Sequence, residues 1–183
     1  MSASETPSPS SGSPFWRFSL RFYRQPEVAD ACITLQEKAG VDVNLLLFLF
    51  WHATQKRALS QADVAELERR IASWRNMTVI PLRTMRRALK SPPTLVAGAS
   101  AELFRTRIKA VELEAERLQQ EAMHDLARPS LLGVEVSSRE DAARANVATY
   151  AAMSGAAFPQ PVIETLLAAL VGRGRKPEEM THG

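Results

Sequence analysis

One cysteine among 183 residues, Cys32, excludes an intramolecular disulfide and any zinc site built from several thiolates, and it fits a reducing compartment. Charge of one sign is also scarce: 23 basic against 20 acidic residues leave +3, too small an excess to imply a polyanion partner by itself. The longest uninterrupted apolar run, residues 45–51, has seven members, whereas a membrane span needs about 20. The amino terminus, "MSASETPSPSSGSP", has neither the basic start nor the apolar stretch of a secretory signal, so a cytoplasmic protein with no membrane insertion is expected. Motifs that announce an enzyme are missing as well. The chain has no Gly-rich phosphate loop, no nucleophile elbow and no paired aspartates, so neither catalytic residues nor a cofactor can be assigned.

What is present is a series of amphipathic segments. Hydrophobic residues make up 45% of the chain and charged residues 23%, ordinary values for a folded protein. Phe15, Phe18 and Phe22 share one helical face, and Val28, Cys32 and Leu35 continue a second stripe that Gly40 stops. Asp42 is placed to cap the apolar stretch "VNLLLFLFWHA", whose Leu-rich composition favours helix over strand. A helix over 42–57 that is apolar around its circumference belongs at the centre of a bundle. Ser60 and Asp63 form a capping box ahead of Val64, Leu67, Ile71 and Trp74. A kink or short turn is expected at "MTVIPL", because Pro81 and the β-branched run ahead of it disfavour continued helix.

Beyond Pro81, Leu82, Met85 and Leu89 lie on one side and Arg83, Arg86, Arg87 and Lys90 on another. Ser100 can cap the longest helix, along which Phe104, Ile108, Val111, Ala115, Leu118 and Ala122 make a packing seam while its glutamates and arginines meet water. An Ala-rich helix ending near Gly155 and a short one from Pro161 follow, with no alternating strand pattern anywhere. The expected fold is all-α: a single-domain bundle of about six to eight helices over 14–171, with disordered tails at 1–13 and 172–183.

Segments 15–53 and 74–90, followed by the long Glu/Arg helix, resemble a family of small uncharacterised proteobacterial proteins of about 160–180 residues, a domain of unknown function. The resemblance covers about 14–126. It implies a bacterial, cytoplasmic, helical protein with a variable carboxy-terminal third, and it transfers no catalytic residue.

Few residues suggest a site. Glu121 and His124 have the spacing of a carboxylate-bundle ligand pair, but such sites need a second copy, and no core helix supplies one, so no metal is expected. His52 reads as a hydrogen-bonded histidine at the core boundary and Cys32 as a core residue. The segment 67–90 stands out, with seven basic residues against Glu68 alone, so the rest of the chain is formally −3. From it, Arg70, Trp74, Arg83, Arg86, Arg87 and Lys90 are the candidate partner- or anion-binding residues. Three readings stay open: these arginines pair with glutamates of the long helix, they bind an acidic protein partner, or they bind nucleic acid with Trp74 stacking on bases. The leading functional reading is a non-enzymatic interaction or accessory protein using the basic helix 81–90; RNA or DNA binding comes second, and an enzyme with a pocket inside the bundle third.

Overall fold

The structure, a computed structural model, describes residues 12–128 and 132–172. The expected tails lie outside these apart from Gly12, Ser13 and Gly172, and Ser13 is no tail: its hydroxyl accepts from the Trp16 amide and caps the first helix. Among the described residues eight α-helices run in the order α1 (Pro14–Tyr23), α2 (Val28–Ala39), α3 (Val43–Thr54), α4 (Gln61–Trp74), α5 (Ile80–Ala88), α6 (Gly98–Ala127), α7 (Arg139–Ser154) and α8 (Gln160–Leu170). The all-α expectation holds, and no helix among the described residues is long and apolar enough to cross a membrane.

Local chemistry explains most boundaries. Asp42 caps α3 by accepting from the amides of Asn44 and Leu45, and the Ser60–Asp63 capping box forms in both directions. Gly40 and Gly155 close α2 and α7 in the left-handed conformation. Ser100, in contrast, is no cap: α6 begins a turn earlier at Gly98, with Ala97 ahead of it. A two-residue antiparallel bridge, β1 (Arg57–Ala58) with β2 (Val134–Glu135), is the one strand pairing among the described residues, too short to leave an alternating pattern.

The core is built around α3. Every residue from 44 to 50 is buried, including Asn44, and α7 packs most extensively against it through Ala142, Ala143, Asn146, Val147 and Tyr150. The small residues of α7 let its backbone come close, and Asn146, fully buried, exploits this. Its amide donates to the carbonyls of Leu49 and Arg57 and its oxygen accepts from the Leu59 amide, tying the exit of α3 to α7. Cys32 lies in this core, where burial pushes its thiol up to about 12.

The long helix departs from its expected seam. Only Ala115 of that row is buried; Phe104, Val111 and Leu118 are about half exposed. The face turned inward carries Ala101, Glu112, Ala115, Gln119, Gln120 and Met123. Residues 72–122 contribute nothing to the main core cluster, and no residue of α5 is buried. α5 and α6 up to Ala122 thus form an arm outside the main apolar cluster, while Met123 and Ala127 anchor the end of α6 in it.

His52 corrects another expectation. It is buried against the Phe48 and Trp51 rings with neither ring nitrogen hydrogen-bonded. Burial first, and Arg57 second, lower its pKa to about 4 from 6.5. The unfolded chain therefore binds a proton that the folded one rejects, so stability is complete above about pH 6.5 and falls as pH drops toward 4, by about 3 kcal/mol in all. Denaturant unfolding at pH 7.5 and 5 will show this loss in the wild type and a smaller one in His52→Leu. Replacing Leu46 or Leu49 with Asp, each fully buried in the wild type, will abolish soluble folding by burying an unpaired carboxylate, measured as soluble yield and helical circular dichroism.

Candidate functional site

The expected break near Pro81 takes an unexpected form. The helix does not stop: α4 passes into α5 through a π-helical turn, Arg75–Val79, in which the Ile80 amide reaches back to the Arg75 carbonyl. Proline has no N–H and its ring crowds the carbonyl four residues earlier, and a wider turn immediately ahead of Pro81 absorbs that misfit. The Thr78 hydroxyl donates to the Trp74 carbonyl at 2.6 Å, satisfying a group on the way. Such turns re-aim side chains, and this one puts Arg75, Asn76 and Val79 on the wall of a cavity of about 710 Å³, within the range of about 300–1,000 Å³ typical of ligand sites.

Five other segments complete the walls. Gln36 and Gly40 come from the end of α2, Asp42 and Asn44 from the entry to α3, Glu68 and Arg69 from α4, Arg83 and Arg87 from α5, and Tyr150 and Met153 from α7. At its floor Arg75 donates twice to Glu68, at 2.9 and 2.6 Å, and once to Asp42 at 3.2 Å. The Glu68 hydrogen bonds raise the Arg75 pKa, which fixes it as a cation. Gln119 donates to the same Asp42 oxygen at 3.1 Å, and the Asp42 amide donates to the Tyr150 hydroxyl at 3.0 Å. Burial, reinforced by Asp42, drives the Tyr150 phenol well above its ordinary range, so it stays neutral. Deeper, Gln120 donates to Asn44 at 2.8 Å.

A second polar cluster lies behind α5. Arg83 donates to Glu112 at 3.1 Å and to Glu116 at 2.6 Å, and Arg86 donates twice to Glu112. Burial alone would raise the Glu112 pKa, but the Arg86 and Arg83 guanidiniums outweigh it and hold it below the usual carboxylate range. Glu116 goes the other way: burial raises it further than Arg83 lowers it, with Glu112 and Asp42 adding repulsion. Glu112 is therefore a buried ion-pair partner rather than a solvated residue of the long helix.

The sequence-predicted residues are scattered by this arrangement. Arg83 and Arg87 line the cavity, and Arg86 turns to Glu112. Arg87 meets Glu37 at 3.5 Å, both about half exposed, while Lys90 is exposed beyond the helix end. Arg70 pairs with Glu66 on the surface of α4 and lines a shallower depression with Ser73 and Asp125. Trp74 is half-buried, its indole N–H donating to the Ala115 carbonyl at 3.0 Å. Asp42 and Tyr150 carried no site signal in the sequence, being 108 residues apart, and Arg75 lay in the basic segment without being among its candidates. Glu121 and His124 serve other ends: Glu121 accepts from the Ser13 amide and His124 lies against Trp51. Among the described residues no group of three or more His, Cys, Asp or Glu side chains is arranged to hold a metal ion.

The family described as Protein of unknown function (DUF2390) matches residues 14–123. The chain belongs to this family. No curated protein and no solved structure matches it. The DUF2390 segment runs from the start of α1 to Met123 in α6, and so contains every cavity wall except the α7 residues Tyr150, Met153 and Ser154.

Because Glu112 joins α5 to α6, Glu112→Ala will strand Arg86, leave Arg83 on Glu116 alone and loosen α5 by about 3–5 kcal/mol. Native-state hydrogen exchange will show faster exchange across α5 and the first half of α6, with the amides of 45–50 unchanged.

Proposed function

We propose that the protein is a non-enzymatic accessory protein that takes an acidic group of a protein partner into the cavity beside the π turn. The observation that carries this reading is the convergence of Arg69, Arg75, Arg83 and Arg87 on one cavity whose lining carboxylates among the described residues are only Asp42 and Glu68. Arg75 and Arg83 are committed to internal carboxylates, so the incoming anion is met by the other two. Arg69 and Arg87 are exposed, and their pairs with Glu66 and Glu37 are of the surface kind that exchanges readily for another anion. Binding fits better than catalysis, since Asp42, Glu68 and Tyr150 already have hydrogen-bond partners and none is poised as a free acid or base.

Nucleic acid has weaker support. Trp74 is tied to the Ala115 carbonyl, and Arg86 faces Glu112, so the stacking platform and half the basic face are occupied. Fluorescence anisotropy with a labelled Glu/Asp-rich peptide and an oligonucleotide of equal length separates the readings. The peptide is expected to bind with marked salt dependence, and the double variant Arg69→Glu, Arg87→Glu to bind about tenfold or more weakly with its circular dichroism unchanged. Peptide binding indifferent to both changes would sink the assignment, and tighter, salt-steep binding of the oligonucleotide would transfer the site to nucleic acid.

A further inference from the structure

Ten of the thirteen large apolar side chains exposed among the described residues lie between positions 77 and 118, on the π turn, α5, α6 and the loop joining the two helices. The part on α6 has an order of its own. Leu103, Arg107, Ala110, Val111, Glu114 and Leu118 are all exposed, and at 3.6 residues per turn they fall within an arc of about 100° along about 22 Å of helix. Their spacings, four, three, one, three and four, read the same in both directions, with leucine at both ends, Ala110 and Val111 at the centre, and opposite charges at the two symmetric positions between. Arg107 makes no ion pair among the described residues, and Glu114 is held only by Arg117 three positions on, at the surface. No α6 residue lines the cavity, so this ridge is separate from that site.

We infer that the ridge is the contact surface for a second copy of this chain, packed antiparallel about a two-fold axis between Ala110 and Val111. A two-fold interface requires that when one residue faces another, the reverse contact also occurs, and a palindromic ridge is what meets that condition on a single helix. In this register Leu103 meets the partner's Leu118, Arg107 meets the partner's Glu114, and Ala110 meets the partner's Val111, each contact made twice. The small Ala110 allows close approach at the axis. A parallel pair in register would instead set Arg107 on the partner's Arg107 and Glu114 on the partner's Glu114, so charge fixes the direction. Exposures of 67% for Leu103, 52% for Val111 and 42% for Leu118 leave this apolar surface in water until a partner covers it. One helix face is a small interface, so the dimer forms and dissociates with concentration rather than permanently.

Sedimentation velocity of the full chain over a wide concentration range tests this. The wild type is expected to pass from monomer to dimer, and Val111→Glu to remain monomeric. Arg107→Glu and Glu114→Arg each turn two attractive contacts into two repulsive ones and are expected to raise the dimer dissociation constant about tenfold or more, whereas the double variant, with charges swapped, recovers it. All these positions are exposed, so circular dichroism stays that of the wild type. A wild type that stays monomeric up to millimolar concentration, a dimer that survives Val111→Glu, or a double variant as weak as the singles overturns the assignment.

Discussion

Asp42 is the residue on which the rest of the structure converges. One of its carboxylate oxygens caps α3, the helix against which α1, α2, α6 and α7 pack; the other accepts from Arg75 in the π turn and from Gln119 in α6. Its own amide reaches Tyr150 in α7. A single buried aspartate thus joins the central helix to three segments distant in sequence, two through its carboxylate and one through its amide. Taking such a charge out of water is costly unless every lone pair is used, and here hydrogen bonds from the backbone and from side chains on two other elements use them. The arrangement is specific because it is expensive to leave half made.

The molecule divides into two zones with different cohesion. One is the apolar cluster of α1–α4, α7, α8 and the end of α6, held by burial and close packing. The other is the arm, α5 with α6 up to Ala122, which adds nothing to that cluster, is held together by the Arg83, Arg86, Glu112 and Glu116 network, and is tied to the entry of α3 by Gln119 on Asp42 and Gln120 on Asn44. Ion pairs of this kind are directional, and they hold a helix in register without covering its apolar residues. That is why a helix with a readable packing seam can leave most of the seam in water. The cavity lies where the two zones meet, at the π turn, and so it borrows a rigid wall from the core and basic residues from the arm.

Much of the fold was legible locally. The caps at Asp42 and Ser60, the stops at Gly40 and Gly155, and the central placement of 45–51 follow from hydrogen-bonding groups and burial that are decided within a few residues. The site was legible only in part. Arg83 and Arg87 stood out by local charge, but whether an arginine faces solvent, a cavity or a glutamate depends on which helix is laid beside it. Glu112 looked like one more solvated residue of a mixed-charge helix, and Tyr150 like part of an Ala-rich one.

The sequence by itself determined an all-helical chain with an apolar central helix, because periodicity, caps and breakers act over one or two turns. Tertiary structure alone decided the rest. It turned the misfit at Pro81 into a π turn, buried Glu112 while exposing Val111, and gathered Asp42, Arg75 and Tyr150 around one cavity. The physical reason is that burial and ion pairing are properties of a neighbourhood: the same side chain is a surface charge or a buried strut according to what packs against it, and no local pattern records that choice.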